Sequence, residues 1–329
     1  MIKQISKTNV VVAFSSPFWG RKQFLLCVFG LFIASTLVDV IRAHESDEYI
    51  NFVDDDDDDT VNDNSGNVST NASNDWDLLI FTQSWPVTTC FHWKQENKHH
   101  ECNLPTKKEV WTIHGIWPTK LDTFGPNFCN NSAKFDIDKL YPIVDQMYLF
   151  WPNIENGTEY DSLWQHEWVK HGTCAAQLEE LNDELKYFYQ GLNWLSSVFM
   201  SDVLEKSGIY PDSNNTVISL HTAVVKALGK NPSIHCLYDN KKDVSYLSEI
   251  RVCFDKKLQL VDCDRIRFGQ VSIDYPGGKV NTNCHVSKPI FYPSNVPPTE
   301  KLNRRRKDSW KFPFVNAYKL VQFLIWSTL

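Results

Sequence analysis

Three histidines, a carboxylate and a lysine fall in two short aromatic blocks of this chain. The first is Trp111-Thr112-Ile113-His114-Gly115-Ile116-Trp117-Pro118, and the second is His166-Glu167-Trp168-Val169-Lys170-His171-Gly172-Thr173-Cys174. Imidazoles exchange protons near neutral pH, and a cation beside a carboxylate can manage charge on an anionic transition state. The set can therefore do acid–base chemistry at an anion without a metal. The spacing within the second block decides which groups act together.

Leu163 to Lys170 contains no Gly or Pro, and Gly172 follows closely, so the pattern predicts a helix. On that helix Glu167 and His171 are i, i+4, Glu167 and Lys170 are i, i+3, and His166 and Lys170 are i, i+4. One face gathers Glu167, Lys170 and His171, with His166 on its flank. A zinc-protease helix is a competing reading, but it needs two histidines at i, i+4. His166 and His171 are i, i+5, roughly 140° apart on an α-helix, and Lys170 fills the slot of a second ligand. No metal and no cofactor are expected. Salt links on a solvated helix, each worth about 0.2–0.5 kcal/mol, are the plainer alternative, but they leave His114 unaccounted for.

The elements that must position these blocks are partly legible. Asp77–Phe81 reads as a buried strand ended by Trp85-Pro86, and Glu109–Ile116 as a second strand closed by Pro118. Asn182 or Asp183 caps a long helix with Leu185, Phe188, Leu192, Leu195 and Phe199 on one face. Ile250–Phe254 and Leu258–Asp262 suggest a strand pair. Strands and helices without regular βαβ alternation indicate an α+β fold. The expected form is a central antiparallel sheet flanked by helices and stapled by disulfides.

Charge is unevenly distributed. Residues 1–73 hold 5 Lys/Arg and 11 Asp/Glu, whereas 74–329 hold 28 and 29. A near-neutral folded part lacks the broad basic footprint of a nucleic-acid-binding surface, so any such contact must be local. Residues 1–43 read as a signal peptide or signal anchor, with Arg21-Lys22 ahead of the fifteen largely apolar residues Phe24–Val38. Residues 44–75 read as an acidic disordered spacer around Asp54–Asp59. That run lacks the alternation and glycine of a calcium loop. Residues 76–300 form the expected folded domain. Residues 301–329 are a basic and then apolar tail, expected to dock on the domain, with lying at a membrane surface or trimming after the basic cluster as the alternatives.

Cys27 lies in the leader. The other eight cysteines form an even set, which in an oxidising compartment implies four disulfides with 105 possible pairings. Five glycosylation sequons, at Asn67, Asn71, Asn130, Asn156 and Asn214, agree with a secretory route.

Both blocks resemble the two active-site segments of the T2 family of acid ribonucleases, and the resemblance extends from about Asp75 to Cys284, including Gln83-Ser84-Trp85-Pro86 to Cys90. It implies an endoribonuclease that cleaves single-stranded RNA, with no DNA cleavage and no metal. The RNA 2′-hydroxyl would attack its own 3′-phosphate and leave a 2′,3′-cyclic phosphate, with an acidic optimum. By that resemblance His171 is the base, His114 the acid, Lys170 and Glu167 handle charge and protons on phosphorus, and His166 binds phosphate. Trp117 would stack on a base, and Gln83 would line a second base pocket beside the Leu163–Trp164 turn. Thr119 and Leu163 depart from the common pattern, which leaves base preference open. The implied disulfides are Cys90–Cys102, Cys129–Cys174, Cys236–Cys284 and Cys253–Cys263. The expected protein is a secreted or lysosomal monomer, or one held in the secretory pathway by a signal anchor.

Overall fold

The computed structural model describes residues 74–107, 110–267 and 271–299. The leader, the acidic spacer up to Ser73 with Asn67 and Asn71, and the 301–329 tail lie outside the described residues. Among the described residues no helix is long and apolar enough to cross a membrane.

The strands are β1 Leu78–Ser84, β2 Glu101–Cys102, β3 Thr112–Thr119, β4 Glu155–Asn156, β5 Ser213–Asn215, β6 Ser233–Asp239, β7 Val244–Asp255, β8 Leu260–Val261, β9 Val271–Tyr275, β10 Gly278–Thr282 and β11 Ile290–Tyr292. The main sheet runs β3-β1-β7-β6-β10-β9, with β8 and β11 also on β7 and β5 on β11. Most neighbours are antiparallel, but β10 with β6 and β11 with β7 are parallel. The sheet is thus mixed, and helices pack against it.

β1 is buried along its whole length. Leu79 and Phe81 join the larger apolar core, whereas Leu78 and Ile80 join a smaller one with Trp117, Cys253, Cys263 and Ile266. A central strand covered on both faces reads as a continuous apolar run, as this one does. It extends to Ser84, beyond the expected end. β3 contains Pro118 instead of stopping before it. The sheet order explains this: β3 is an edge strand, where a missing N–H costs no ladder bond.

The helices are α1 Pro86–Glu96, α2 Val144–Phe150, α3 Ser162–Glu167, α4 Glu184–Ser197, α5 Met200–Glu205 and α6 Val217–Leu228, beside shorter turns. Asp183 caps α4 by accepting from the Lys186 N–H. Phe188, Leu192 and Leu195 are buried as the stripe predicts, while Phe199 lies past the helix and opens α5. The sulfurs pair as Cys90–Cys102, Cys129–Cys174, Cys236–Cys284 and Cys253–Cys263, the pattern the resemblance implies. Asn130, Asn156 and Asn214 are exposed.

Candidate active site

The predicted helix over Leu163–Lys170 does not stay α-helical. α3 ends at Glu167, Trp168–Gly172 forms a π turn, and Thr173–Ala175 resumes as α. A π turn inserts one residue, and such insertions are frequent at functional sites. Here it brings His166 and His171 together, with ring centroids 6.2 Å apart. The 140° separation expected of an α-helix is therefore corrected. His166, Glu167 and His171 each offer a ligand atom within 4.8 Å of the others, so this triad could hold a metal ion. Lys170 opposes one, because its charge also bears on His171. One Glu167 oxygen is also engaged by the Trp117 indole.

His114 is delivered by a bulge. Thr82 pairs with Gly115 and Gln83 with Ile113, so His114 is the extra residue of β3. Bulges of this kind turn a side chain out of the pleat. Its carbonyl accepts from the Trp151 indole at 2.7 Å, and the Ile116 carbonyl accepts from the Tyr187 hydroxyl at 2.8 Å. The His114 Nε2 then lies 3.9 Å from Glu167 Oε1. Between the two histidine arms stands Trp117, with its ring 5.1 Å from His114 and 5.6 Å from His171. Gly115 makes the approach possible. A Cβ there would lie 2.0 Å from Glu167 Oε2 and 2.3 Å from Trp117 Nε1.

Glu167, Lys170 and His171 are buried and His166 is half-buried, while the His114 side chain is 27% exposed. Burial pushes the His171 imidazole well below its ordinary pKa, helped by the positive charges of Lys170, His166 and His114. His114 instead has a carboxylate beside it, its Nδ1 meeting Glu249 Oε1 at 2.7 Å. Burial alone would raise the Glu249 carboxyl. The Arg251 guanidinium and the bond to His114 instead hold it well below the usual carboxylate range. Two cavities of about 240 and 220 Å³ lie beside Phe91 and Trp85 and share no residue with this cluster.

Two residues that the resemblance assigns to base contacts are buried and held by other partners. Gln83 is 0% exposed; its amide donates to the Val198 carbonyl at 2.8 Å and accepts from the Met200 N–H at 3.1 Å. It pins the start of α5, with both ends of its amide engaged by backbone groups. Trp164 of the neighbouring turn is likewise buried on Trp151. The Trp117 ring is only 2% exposed, and its Nε1 donates to Glu167 Oε2 at 2.9 Å. It supports the carboxylate and has no open face for stacking. Glu249 and Arg251 were not among the expected residues. Two opposite charges two apart inside an apolar strand run were the available signal.

Fold and site together define a disulfide-bonded α+β protein in which His114, His166, His171 and Glu167 gather in one cluster. The chain belongs to the Ribonuclease T2 family, whose model matches residues 76–263, and is thus an RNA endonuclease of that family. It is 34% identical over 223 residues to Ribonuclease Oy of Magallana gigas, covering 67% of this chain and 97% of the relative. It is 34% identical over 230 residues to Ribonuclease T2 of Sus scrofa, covering 69% and 100%. The crystal structure of human RNase T2 is similar at a TM-score of 0.52 and 31% identity, over 67% of this chain and 99% of that one.

Proposed function

We propose that the enzyme cleaves single-stranded RNA by metal-independent transphosphorylation, most actively at acidic pH. The ribose 2′-oxygen attacks the adjacent phosphorus, the bond from phosphorus to the 5′-oxygen breaks, and a 2′,3′-cyclic phosphate remains. His171 takes the 2′-hydroxyl proton, and His114 gives one from Nε2 to the departing 5′-oxygen. Lys170 and Glu167 balance charge and protons on the phosphoryl oxygens, and His166 binds phosphate. The observation that carries this reading is the unequal setting of the two imidazoles. His171 is kept neutral by burial and like charges, whereas the Glu249 carboxylate favours the protonated form of His114. Pushing two titratable groups apart assigns base and acid. It also suits acidic pH, where a free imidazole would already be protonated. DNA lacks the attacking 2′-hydroxyl and is not cleaved.

The protein acts as a monomer. It follows the secretory route, secreted or lysosomal, a reading that the paired cysteines and exposed sequons support. The test is digestion of homopolymeric RNAs with product analysis. A 2′,3′-cyclic phosphate that forms undiminished in EDTA is expected, and His114→Phe or His171→Phe should each lower kcat by at least about 100-fold. Activity surviving both substitutions, or lost in EDTA and restored by a divalent ion, overturns the mechanism.

A further inference from the structure

We infer that Glu249, braced by Arg251, is the positioning residue that fixes the tautomer and charge of His114. The inference rests on the acid role proposed for His114 and extends it to groups outside both histidine blocks. Glu249 lies on β7, opposite Ser84 of β1 and His235 of β6. The β6–β7 register shifts just beside it, so that Ser248 is the extra residue of β7. His114 is thus itself the bulged residue of β3, and Glu249 directly follows the bulge of β7.

The carboxylate is divided between two tasks. Oε1 meets His114 Nδ1 at 2.7 Å, while Oε2 accepts from Arg251 Nε at 2.9 Å and Nη2 at 2.6 Å. An ionised carboxylate only accepts, so Nδ1 must carry a proton and Nε2 faces the site. The guanidinium does more than hold Glu249. Its carbon lies 4.7 Å from the centre of the Trp117 ring, whose indole supports Glu167. Arg251 therefore touches both arms of the site, His114 through Glu249 and Glu167 through Trp117. A lysine could not make the paired bonds and the stack together.

Titratable and charged groups from several packed elements face this pair. His114 faces Glu249 of β7, Glu167 of α3 and His171 of the π turn. Glu249 faces Arg251 of its own strand, His235 of β6 and His114 of β3. Removing the Glu249 charge leaves the Arg251 guanidinium near the imidazole without its main counterweight. The proton on His114 is then held less tightly.

Glu249→Gln keeps shape and a hydrogen-bond acceptor while removing the charge. The expected result is a fall in kcat of roughly 10- to 100-fold, as for partners that orient metal-bound histidines. KM should stay near its wild-type value. The alkaline limb of the pH–rate profile should move down by about 1–3 pH units. A merely structural role would lower activity without moving that limb. The companion measurement needs no variant: nitrogen-15 NMR of the full wild-type chain, in which neutral His114 is expected as the Nδ1–H tautomer. An Nε2–H tautomer, or a folded Glu249→Gln enzyme with an unmoved profile, overturns the inference. Wild-type protein that cuts no RNA would instead overturn the ribonuclease mechanism, and the tautomer would still be read.

Discussion

His171 is buried beside Lys170, His166 and His114, and its lowered proton affinity has a cost in stability at acidic pH. An unfolded imidazole titrates near 6.5. Below that value the unfolded chain takes a proton that folded His171 refuses. Stability is therefore unaffected above about pH 6.5 and falls as pH drops from there toward the folded pKa. Burial and the Arg251 charge lower His235 likewise, and burial lowers His221. His171→Gln removes one such group. Its thermal stability relative to wild type should improve between pH 7.5 and 5, by up to about 1.4 kcal/mol per pH unit inside the window. Melting curves across that range check this, and a constant gap would mean that His171 titrates as a free imidazole. The residue types of the centre were legible, because His114, Glu167, Lys170 and His171 sit in compact blocks. Glu249 was not, since it reaches His114 across 135 positions and only sheet register joins them. Trp117 was misread for a related reason: burial, which decides between stacking and support, is a property of the packed molecule.

At the scale of elements, periodicity placed α4 and its cap and the pairing of β7 with β8, where Cys253 opposes Val261 and Phe254 opposes Leu260. It could not reveal the π turn, because one added residue leaves the apolar pattern of Trp164 and Trp168 intact. The two bulges were hidden for the same reason, as each adds a single residue to one strand. The π turn is where this fold departs most from regularity, and its packing exposes it to test. The Trp168 ring lies against Gly172, and a Cβ there would come within 2.4 Å of the ring. Gly172→Ala must therefore displace either the indole or the backbone that carries His171. Overpacking of a tight core typically costs about 1–3 kcal/mol. The expected variant is folded but destabilised by that amount, with kcat reduced more than binding because His171 moves. Denaturant unfolding and steady-state kinetics measure the two effects. Unchanged kcat would show that the turn tolerates a shift of its own backbone.

Across the whole molecule, the disulfides divide the work unequally. Cys129–Cys174 ties the loop after β3 to the helical turn that follows Gly172, and the Phe128 N–H donates to the Lys170 carbonyl at 2.9 Å nearby. The Trp76 indole donates to the Cys174 carbonyl at 3.1 Å, which adds the start of the domain to the same point. This bridge therefore fixes the end of the segment that bears Glu167, Lys170 and His171. Cys90–Cys102 instead joins α1 to β2, elements that carry none of the candidate site residues. Loop entropy sets their contributions to stability: separations of 45 and 12 residues correspond to about 4 and about 3 kcal/mol. Stability alone would rank the two bridges as near equals. Position predicts a larger difference in catalysis. Replacing Cys129 and Cys174 together with alanine should lower both stability and kcat, whereas the Cys90/Cys102 pair of replacements should lower stability and leave kcat close to wild type. Activity assayed well below each variant's melting temperature separates the effects. Equal losses of kcat in the two variants would mean that the catalytic segment is held by its core contacts, with Trp168 and Cys174 acting only as parts of a general scaffold.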